Sequence, residues 1–468
     1  MRALSPAYRE RLTTGILHFG PGAFHRAHQA DYIDRLLHDD PRWGIAAVSL
    51  RSAETVRALR AQDGLYTLAI LDAQPAFRTI GAHKVFLGPG EAAAVRTALS
   101  NESIRIVSST VTEKGYCLTG DGSLDFGHPD IVHDLAAPAH PQSLIGWLAL
   151  GLADRRASGR AAFTILCCDN MASNGRKLRG AVEAFAARLD PELARWIAGE
   201  ACFPDTMVDS ITPATTDALR AQVQAQTGFE DAVPVSREAY AAWVIEDVLP
   251  KDAPPLAGAG VVLTSDVAAW ERAKLRLLNG AHSTIAYLGL LLGHETVAEA
   301  MGDADLAGFV ERLMIDDISP TLQPSPIDLR AYTSEVLARF RNPAIRHLLS
   351  QIAWDGSQKL PYRLLDTIAD ALAAGRTVDR LAVPIAAWIE FIKRQSRSGA
   401  DIVDPLAGPL SDAGKQADAA ERMLAMEQIF PRSITENADV RSAILDAARA
   451  LEERGARACL ANKEACLA

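Results

Sequence analysis

The sequence predicts an α/β protein: a mainly parallel sheet covered by helices over residues 1–268, followed by an all-α domain over residues 269–468. Three observations carry this. A strand pattern, a glycine turn, a helical pattern and a second strand pattern follow one another within about thirty residues, the length of a β-α-β unit. Strand and helix patterns then keep alternating, which calls for parallel strands with helices on their faces. Beyond about residue 270 the apolar residues recur only at helical spacing.

In chain order, "TGILHFG" reads as a strand running into Gly20, and "AHQADYIDRLLHD" as a helix through Ala30, Ile33, Leu36 and Leu37. "WGIAAVSL" is the second strand. "LYTLAIL", "IRIVSST" and "AAFTILCCD" are further strands, with "PQSLIGWLALGLADRRA" a helix among them. Pro254, Pro255, Gly258 and Gly260 mark a surface loop. The later helices are "WERAKLRLLNGAHSTIAYLGLLLG", "SEVLARFRN", "VDRLAVPIAAWIEFIKRQ" and "DVRSAILDAARALEERGARACL". No composition-biased linker separates the halves, so they are expected to pack around a shared cleft.

Composition narrows the function classes. A chain of 468 residues is too long for one core, and 49% hydrophobic with 23% charged residues is globular. A net charge of −10 gives no general attraction to nucleic acid or an anionic membrane, so an anionic substrate needs a local cationic pocket. The longest apolar runs fall short of the roughly 20 residues of a membrane span. "MRALSPAYRERL" has no signal-peptide core. Six cysteines form no C-x-x-C, so reduced thiols in a cytoplasmic protein are expected. The expected assembly is a monomer or a small homo-oligomer.

Residues 18–29 read "HFGPGAFHRAHQ". Gly20 and Gly22 occupy the first two positions of G-x-G-x-x-G, where one permits the bend and the other lets a pyrophosphate approach the backbone. In a Rossmann-like first domain, the class expected for residues 1–268, the turn would stand at this place. The third position is His25, which implies a wider helix-strand crossing or an outward side chain. By itself the turn is as good a structural bend as a cofactor site. No acid for a ribose directly follows the second strand; Glu54 comes one turn late, and Arg51 suits a 2′-phosphate. His18, His25 and His28 have no acidic or cysteine ligand at familiar spacing, so packing is a better reading than a metal.

A second constellation runs from Glu271 through Lys274 and Asn279 to His282. At 100° per residue Glu271, Lys274 and His282 fall within roughly 80°, with Asn279 about 60° beyond. A lysine among apolar neighbours is suited to act as a general base, an asparagine can donate to a developing alkoxide, and a histidine can orient the same oxygen. From spacing alone, an amphipathic helix with a solvated Lys/Glu face that Asn279 and Gly280 terminate is the better reading. A third cluster, Cys168 to Gly175 with Asp169, Asn170 and Asn174, follows a strand end, where open α/β sheets bind ligands. Asp, Asn and Gly also simply make turns. Thr112, Glu113 and Lys114 in "VTEKGYC" occupy a similar place and line a nicotinamide site or form a turn.

Taken together, eight segments resemble the long-chain mannitol dehydrogenase family, the polyol-specific long-chain dehydrogenases. They are "GPGAFHRAHQ", "TVTEKGYC", "CDNMASNG", "FPDTMVDSITPATT", "EAYAAWVIED", "KLRLLNGAHS", "DGSQKLPYRLL" and "ERGARACL", in the family's order. The resemblance implies a dinucleotide turn that lacks the third glycine, with Gly20, Gly22, Phe24, His25, Arg26, Arg51, Thr112, Glu113 and Lys114 at the cofactor. That cofactor is NAD, with NADP left open. It further implies Lys274 as base, Asn170 and Asn279 on the alkoxide, His282 on the reacting hydroxyl and Glu271 in proton exchange with solvent, without a metal.

Other dehydrogenase classes fit less well: none of the eight tyrosines has a lysine four residues later, and clustered zinc ligands are absent. A non-catalytic nucleotide-binding protein is disfavoured because Lys274, Asn279 and Asn170 are all present. One departure is that the family's "VDRITP" reads Val208 to Pro213 here with Ser210 in place of arginine, next to Asp209, a substrate-binding candidate. The segment from Asp355 to Leu365 looks closest to the fructuronate reductase branch, with Lys359 or Arg363 meeting a hexuronate carboxylate. The expected substrate is therefore a sugar acid, D-mannonate and D-fructuronate, with mannitol or another polyol as the alternative.

Overall fold

The computed structural model describes residues 5–461, and the chain divides into two compact units, Met1–Ala268 and Ala269–Ala468. In the first unit the strands are β1 (Thr14–Phe19), β2 (Gly44–Val48), β3 (Tyr66–Leu71), β4 (Ala76–Ile80), β5 (His83–Leu87), β6 (Ile106–Ser109), β7 (Thr164–Cys167), β8 (Thr206–Asp209), β9 (Val235–Glu238), β10 (Ala242–Glu246) and β11 (Val262–Thr264). Five form the main sheet in the order β5-β2-β1-β6-β7, with every pairing parallel. Alternate residues of β1 enter different cores: Leu17 and Phe19 join Val107 and Ile165, whereas Ile16 joins Ile45, Ile106 and Leu166. Burial on both faces is what a parallel sheet under two helical layers requires. The chain leaves β1 for β2 on one side and later for β6 on the other, so the carboxyl end of β1 is the topological switch point.

Two smaller sheets, β4-β3-β9 and β11-β10-β8, each combine one antiparallel and one parallel pairing. "LYTLAIL" thus forms its strand, but outside the main sheet. The pattern reading had missed β4, β5 and β8 to β11. These strands have three to five residues, and β4 and β5 alternate imperfectly between buried and exposed, so their partners rather than their own periodicity decide them.

The expected helix over residues 27–39 is two helices, Ala23–Ala27 and Gln29–Leu36, broken at His28 (φ −118°, ψ −86°). His25 points inward, correcting the outward alternative, and stacks on His18 at 3.4 Å between ring centroids. Its Nε2 lies 3.0 Å from His83 Nε2. His18 in turn meets the Ser108 hydroxyl at 2.8 Å and the Thr110 hydroxyl at 3.0 Å. Burial drives all three imidazoles toward the neutral form, His18 and His83 to about 3 and His25 well below its ordinary value.

The second unit is helical. A long helix, Asp379–Ser398, buries Leu381, Ile385, Trp388, Ile389 and Ile392 and packs on Ala281–Leu292 and Ala438–Ala461. Ala438–Ala461 is interrupted at Gly455, which has φ 77°. The pattern that reads as one helix over 270–293 is three pieces: α-helix Val267–Ala273, π-helix Lys274–Gly280 and α-helix Ala281–Leu292.

The buried histidines give a test of stability against pH. Below about 6.5 the unfolded chain binds protons at His18, His25 and His83 while the folded chain does not, so folding weakens as pH falls. The slope is about 1.4 kcal/mol per pH unit for each imidazole, or about 4 for the three. Urea unfolding followed from pH 7 to pH 4 should show this loss. Replacing His83 with Gln should flatten the slope by about one proton.

Candidate active site

Gly20 directly follows β1 and has φ +90°, and a Cβ on it would run into the Thr110 carbonyl oxygen. The Thr110 hydroxyl donates to the Gly20 carbonyl at 2.7 Å, and His18 Nε2 approaches both. Glycine is required there by conformation and by space. Gly22 differs: its φ is −68° and the nearest protein atom to an added Cβ is 3.9 Å away, so the protein leaves its outer side open.

Beyond the carboxyl ends of β2 and β5 a cavity of about 350 Å³ is lined by Ser49, Leu50, Arg51, Gly88, Gly90 and Asp130, among others. Arg51 pairs with Asp130 at 2.7 Å. Glu54 is exposed on its helix and does not line the cavity, so the carboxylate beside this site is Asp130, carried by helix Pro129–Ala136. Cys117, His128 and Asp130 bring ligand-type atoms within 4.8 Å of one another. His128 Nδ1 there accepts the Asp130 N–H at 3.2 Å and Asp130 holds Arg51, so two of the three are engaged with protein partners.

The loops after β6 and β7 are tied together by Asp169. Its carboxylate accepts from the Val111 N–H at 2.8 Å, the Thr112 N–H at 3.3 Å and the Tyr116 hydroxyl at 2.7 Å. Thr112, Glu113 and Lys114 are exposed on that loop, with Thr112 held at φ 68°. The Asn174 amide donates to the carbonyls of Cys167 (3.2 Å), Asp169 (3.3 Å) and Thr206 (2.9 Å), gripping both ends of the turn that carries Asn170, which is exposed.

In the second unit the flat 100° wheel needs correction. It leaves Lys274 and Asn279 about 140° apart, but these residues are five apart, and a π turn closes i to i+5. The insertion brings them to one side of the helix and turns His282 to within about 20° of Lys274. Asn279 and Gly280 do not terminate the helix; it runs on through them. Glu271, Lys274 and Asn279 are half-buried, and His282 is 7% exposed.

His282 Nε2 is buried without a hydrogen-bond partner among the described residues. Burial, followed by His347, Arg363 and Arg339, holds this imidazole well below its ordinary pKa, so it is neutral at pH 7. Arg363 lies on a second π segment, Pro361–Leu365, and donates to the Asn279 carbonyl at 3.3 Å and the Ser283 hydroxyl at 3.0 Å. Lys359 instead caps backbone, donating to the carbonyls of Trp354 at 2.5 Å and Ile352 at 3.4 Å.

Residues 14–258 match the mannitol dehydrogenase Rossmann domain and residues 266–452 the mannitol dehydrogenase C-terminal domain. The chain belongs to the mannitol dehydrogenase family. It is 39% identical over 465 residues to D-mannonate oxidoreductase of Escherichia coli K12, covering 96% of each chain. A crystal structure of D-sorbitol dehydrogenase in substrate-free form superposes with a TM-score of 0.92 at 32% identity, over 97% of this chain and 98% of that one. The Pseudomonas fluorescens mannitol 2-dehydrogenase ternary complex with NAD and D-mannitol gives 0.79 at 37% identity, over 97% and 94%. As a member of the mannitol dehydrogenase family the chain is an oxidoreductase acting on a CH–OH group.

The side chains around the turn are placed as follows. His25 and Arg26 are buried. Arg26 donates to the Pro21 carbonyl at 3.2 Å and to the Val233 carbonyl, bracing the turn from behind. Their side chains are thus taken up inside the protein, while their backbone lies in the first helix after the glycine turn. Phe24 is half-buried and stacks on His28 at 5.0 Å. Ser210 donates to the Tyr240 carbonyl at 2.9 Å, and Asp209 is buried at the end of β8. Asp130 and His347 escaped the sequence reading because nothing in their spacing links them to the motifs they join.

The two glycines should therefore fail differently. Gly22→Ala should leave the thermal unfolding midpoint within about 2 °C while weakening dinucleotide binding at least about tenfold, since only the ligand side is filled. Gly20→Ala should lower both. Differential scanning fluorimetry with cofactor titration separates the cases, and equal behaviour of the two variants would contradict the assignment.

Proposed function

We propose that the chain catalyses reversible hydride transfer between D-mannonate and D-fructuronate, with Lys274 as general base and NAD as cofactor. The observation that carries the reading is His282, a neutral imidazole with an orphaned buried nitrogen on the same side of a π-distorted helix as a lysine and an amide. Buried polar atoms left unpaired are uncommon, and a substrate hydroxyl that both donates and accepts suits this one. Lys274 takes the hydroxyl proton, and the Asn279 and Asn170 amides donate to the oxygen as it becomes an alkoxide. Glu271, three residues before Lys274, passes that proton to solvent. What bound NAD supplies is the acceptor for the hydride that leaves the carbinol carbon as C=O forms. No metal is called for, because an amine removes the proton and amides hold the charge.

NAD is supported by the glycine turn at the switch point, by the cavity beyond β2 and β5 with Asp130 available for ribose hydroxyls, and by the NAD held in the related mannitol 2-dehydrogenase complex. Arg51 supports NADP as the second reading. The sugar acid is supported by Arg363, whose hydrogen bonds go to neutral oxygens and which pairs with no carboxylate among the described residues. A half-buried guanidinium without a counter-charge among the described residues suits a substrate carboxylate. Lys359, taken up with helix carbonyls, is the weaker candidate. A polyol substrate is the second reading, favoured by the likeness to the sorbitol and mannitol enzymes.

Lys274→Ala should lower kcat by about a hundredfold to ten-thousandfold while NADH still binds, read by turnover and by cofactor fluorescence. Near-normal turnover with an unchanged pH profile would remove the base assignment. For the substrate, NADH and NADPH are assayed against fructuronate, tagaturonate, fructose and xylulose. Arg363→Gln should raise KM for fructuronate about ten- to a hundredfold more than for fructose, since only the acid loses a charge-assisted hydrogen bond. Equal losses, or a wild-type preference for fructose, would move the assignment to a polyol dehydrogenase and leave Lys274 in place.

A further inference from the structure

His347 takes no part in the chemistry assigned above, yet it is held against it. It lies between helices Leu329–Phe340 and Leu349–Ile352, with its ring edge-on to His282 at 5.1 Å between centroids and 79° between planes. Phe340 covers His282 at 4.5 Å. The backbone of His347 is anchored on both sides of the peptide: its N–H donates to the Ile345 carbonyl at 2.9 Å and its carbonyl accepts from the Val297 N–H at 3.0 Å. The next residue, Leu348, bridges to Thr296. Among the described residues Nδ1 of His347 is buried with no hydrogen-bond partner, as is Nε2 of His282. Two contacting rings thus each keep one polar atom unused in an enclosure with an aromatic wall. The buried pair His25–His83 differs in that its rings meet Nε2 to Nε2 at 3.0 Å, although each also keeps its Nδ1 unpaired among the described residues.

We propose that His347 binds a second hydroxyl of the substrate chain, near the carbon that reacts, and so determines which epimer the enzyme prefers. A polyhydroxy chain brings hydroxyls on successive carbons, each able to donate or accept, and a neutral imidazole accommodates either role. His282 takes the reacting hydroxyl and His347, in contact with it, takes one farther along the chain. This inference rests on the assignment of His282 to the reacting hydroxyl. It adds a specificity determinant that does not touch the proton or the hydride.

The test compares kcat/KM within two pairs that differ in the configuration of one hydroxyl two carbons from the keto group: D-fructuronate with D-tagaturonate, and D-fructose with D-tagatose. Wild type should prefer one member of at least one pair by about tenfold or more, since a site built to bind a hydroxyl discriminates strongly against its misplacement. His347→Phe should bring that ratio close to one, chiefly by raising KM for the preferred epimer. His347→Asn, which keeps a polar atom near the Nδ1 position, should retain most of the preference. A role in packing alone would lower both epimers alike and leave the ratio unchanged in His347→Phe. That outcome, like a wild type without preference in either pair, would overturn the proposal. Should His347→Phe fail to fold, by thermal unfolding and NADH binding, the ratio in His347→Asn and in His347→Gln decides: loss with Gln and retention with Asn support it, and an unchanged ratio in both overturns it. Failure of the underlying assignment is distinguishable, because His282→Ala would then keep its turnover whatever His347 does.

Discussion

A helix that takes in one extra residue must find new partners for the backbone groups it displaces. In the second unit that constraint falls on Lys274–Gly280, and the molecule meets it with a second π segment packed alongside. Arg363 donates to the Asn279 carbonyl, Thr284 donates to the Gly280 carbonyl at 2.9 Å, and on another side Arg276 reaches Asp370 at 2.6 Å. Close approach favours glycine at position 280, where a Cβ would lie 3.0 Å from the Arg363 carbonyl oxygen. Lys274, Asn279 and His282 share a side of the helix because of this arrangement, so the bulge is a means of aiming side chains as much as a distortion. The same guanidinium that steadies the bulge is the cation proposed for a substrate carboxylate.

The first unit works by a different device. Its turn at the switch point is shaped by backbone and held from below by uncharged imidazoles, with Thr110 and His18 gripping Gly20. Keeping these rings neutral avoids placing positive charge in a core, and it makes the turn rigid without drawing on ionic contacts that salt would weaken. Asp169 and Asn174 do for the loops after β6 and β7 what His18 does for the turn after β1. Each is a buried polar side chain whose partners are backbone groups, which fixes the path of a loop while leaving its outer residues, Thr112 to Lys114 and Asn170, exposed.

Similarity across nearly the whole chain establishes the family and the class of reaction, but relatives with different substrates stand at comparable identity, 39% for the mannonate enzyme and 37% for the mannitol enzyme. The scaffold is common to both, and discrimination resides in a few side chains. The candidates proposed for that role are Arg363, which pairs with no carboxylate among the described residues, Ser210, and the His282–His347 pair.

By itself the sequence determined the alternation that makes a parallel sheet, the passage to an all-helical second half, the glycine turn, and the residues Lys274, Asn279, His282 and Asn170 as candidates. All of these are local: they depend on periodicity, on the conformational needs of a single residue, or on a motif a few residues long. What only the tertiary structure decided is how distant groups meet. The π register had no trace in the pattern, because an inserted residue leaves a helical sequence looking helical; it depends on a neighbouring segment to receive the freed carbonyl. Asp130 reached the cavity beside Arg51 from 79 residues away, and His347 came to His282 from a loop whose own sequence predicts nothing. Short strands such as β5 and β11 formed because partners waited for them. His25 and Arg26 turned inward because the core below the turn had room and acceptors for them. Local propensity is written residue by residue, whereas these contacts exist only once the surrounding elements are packed.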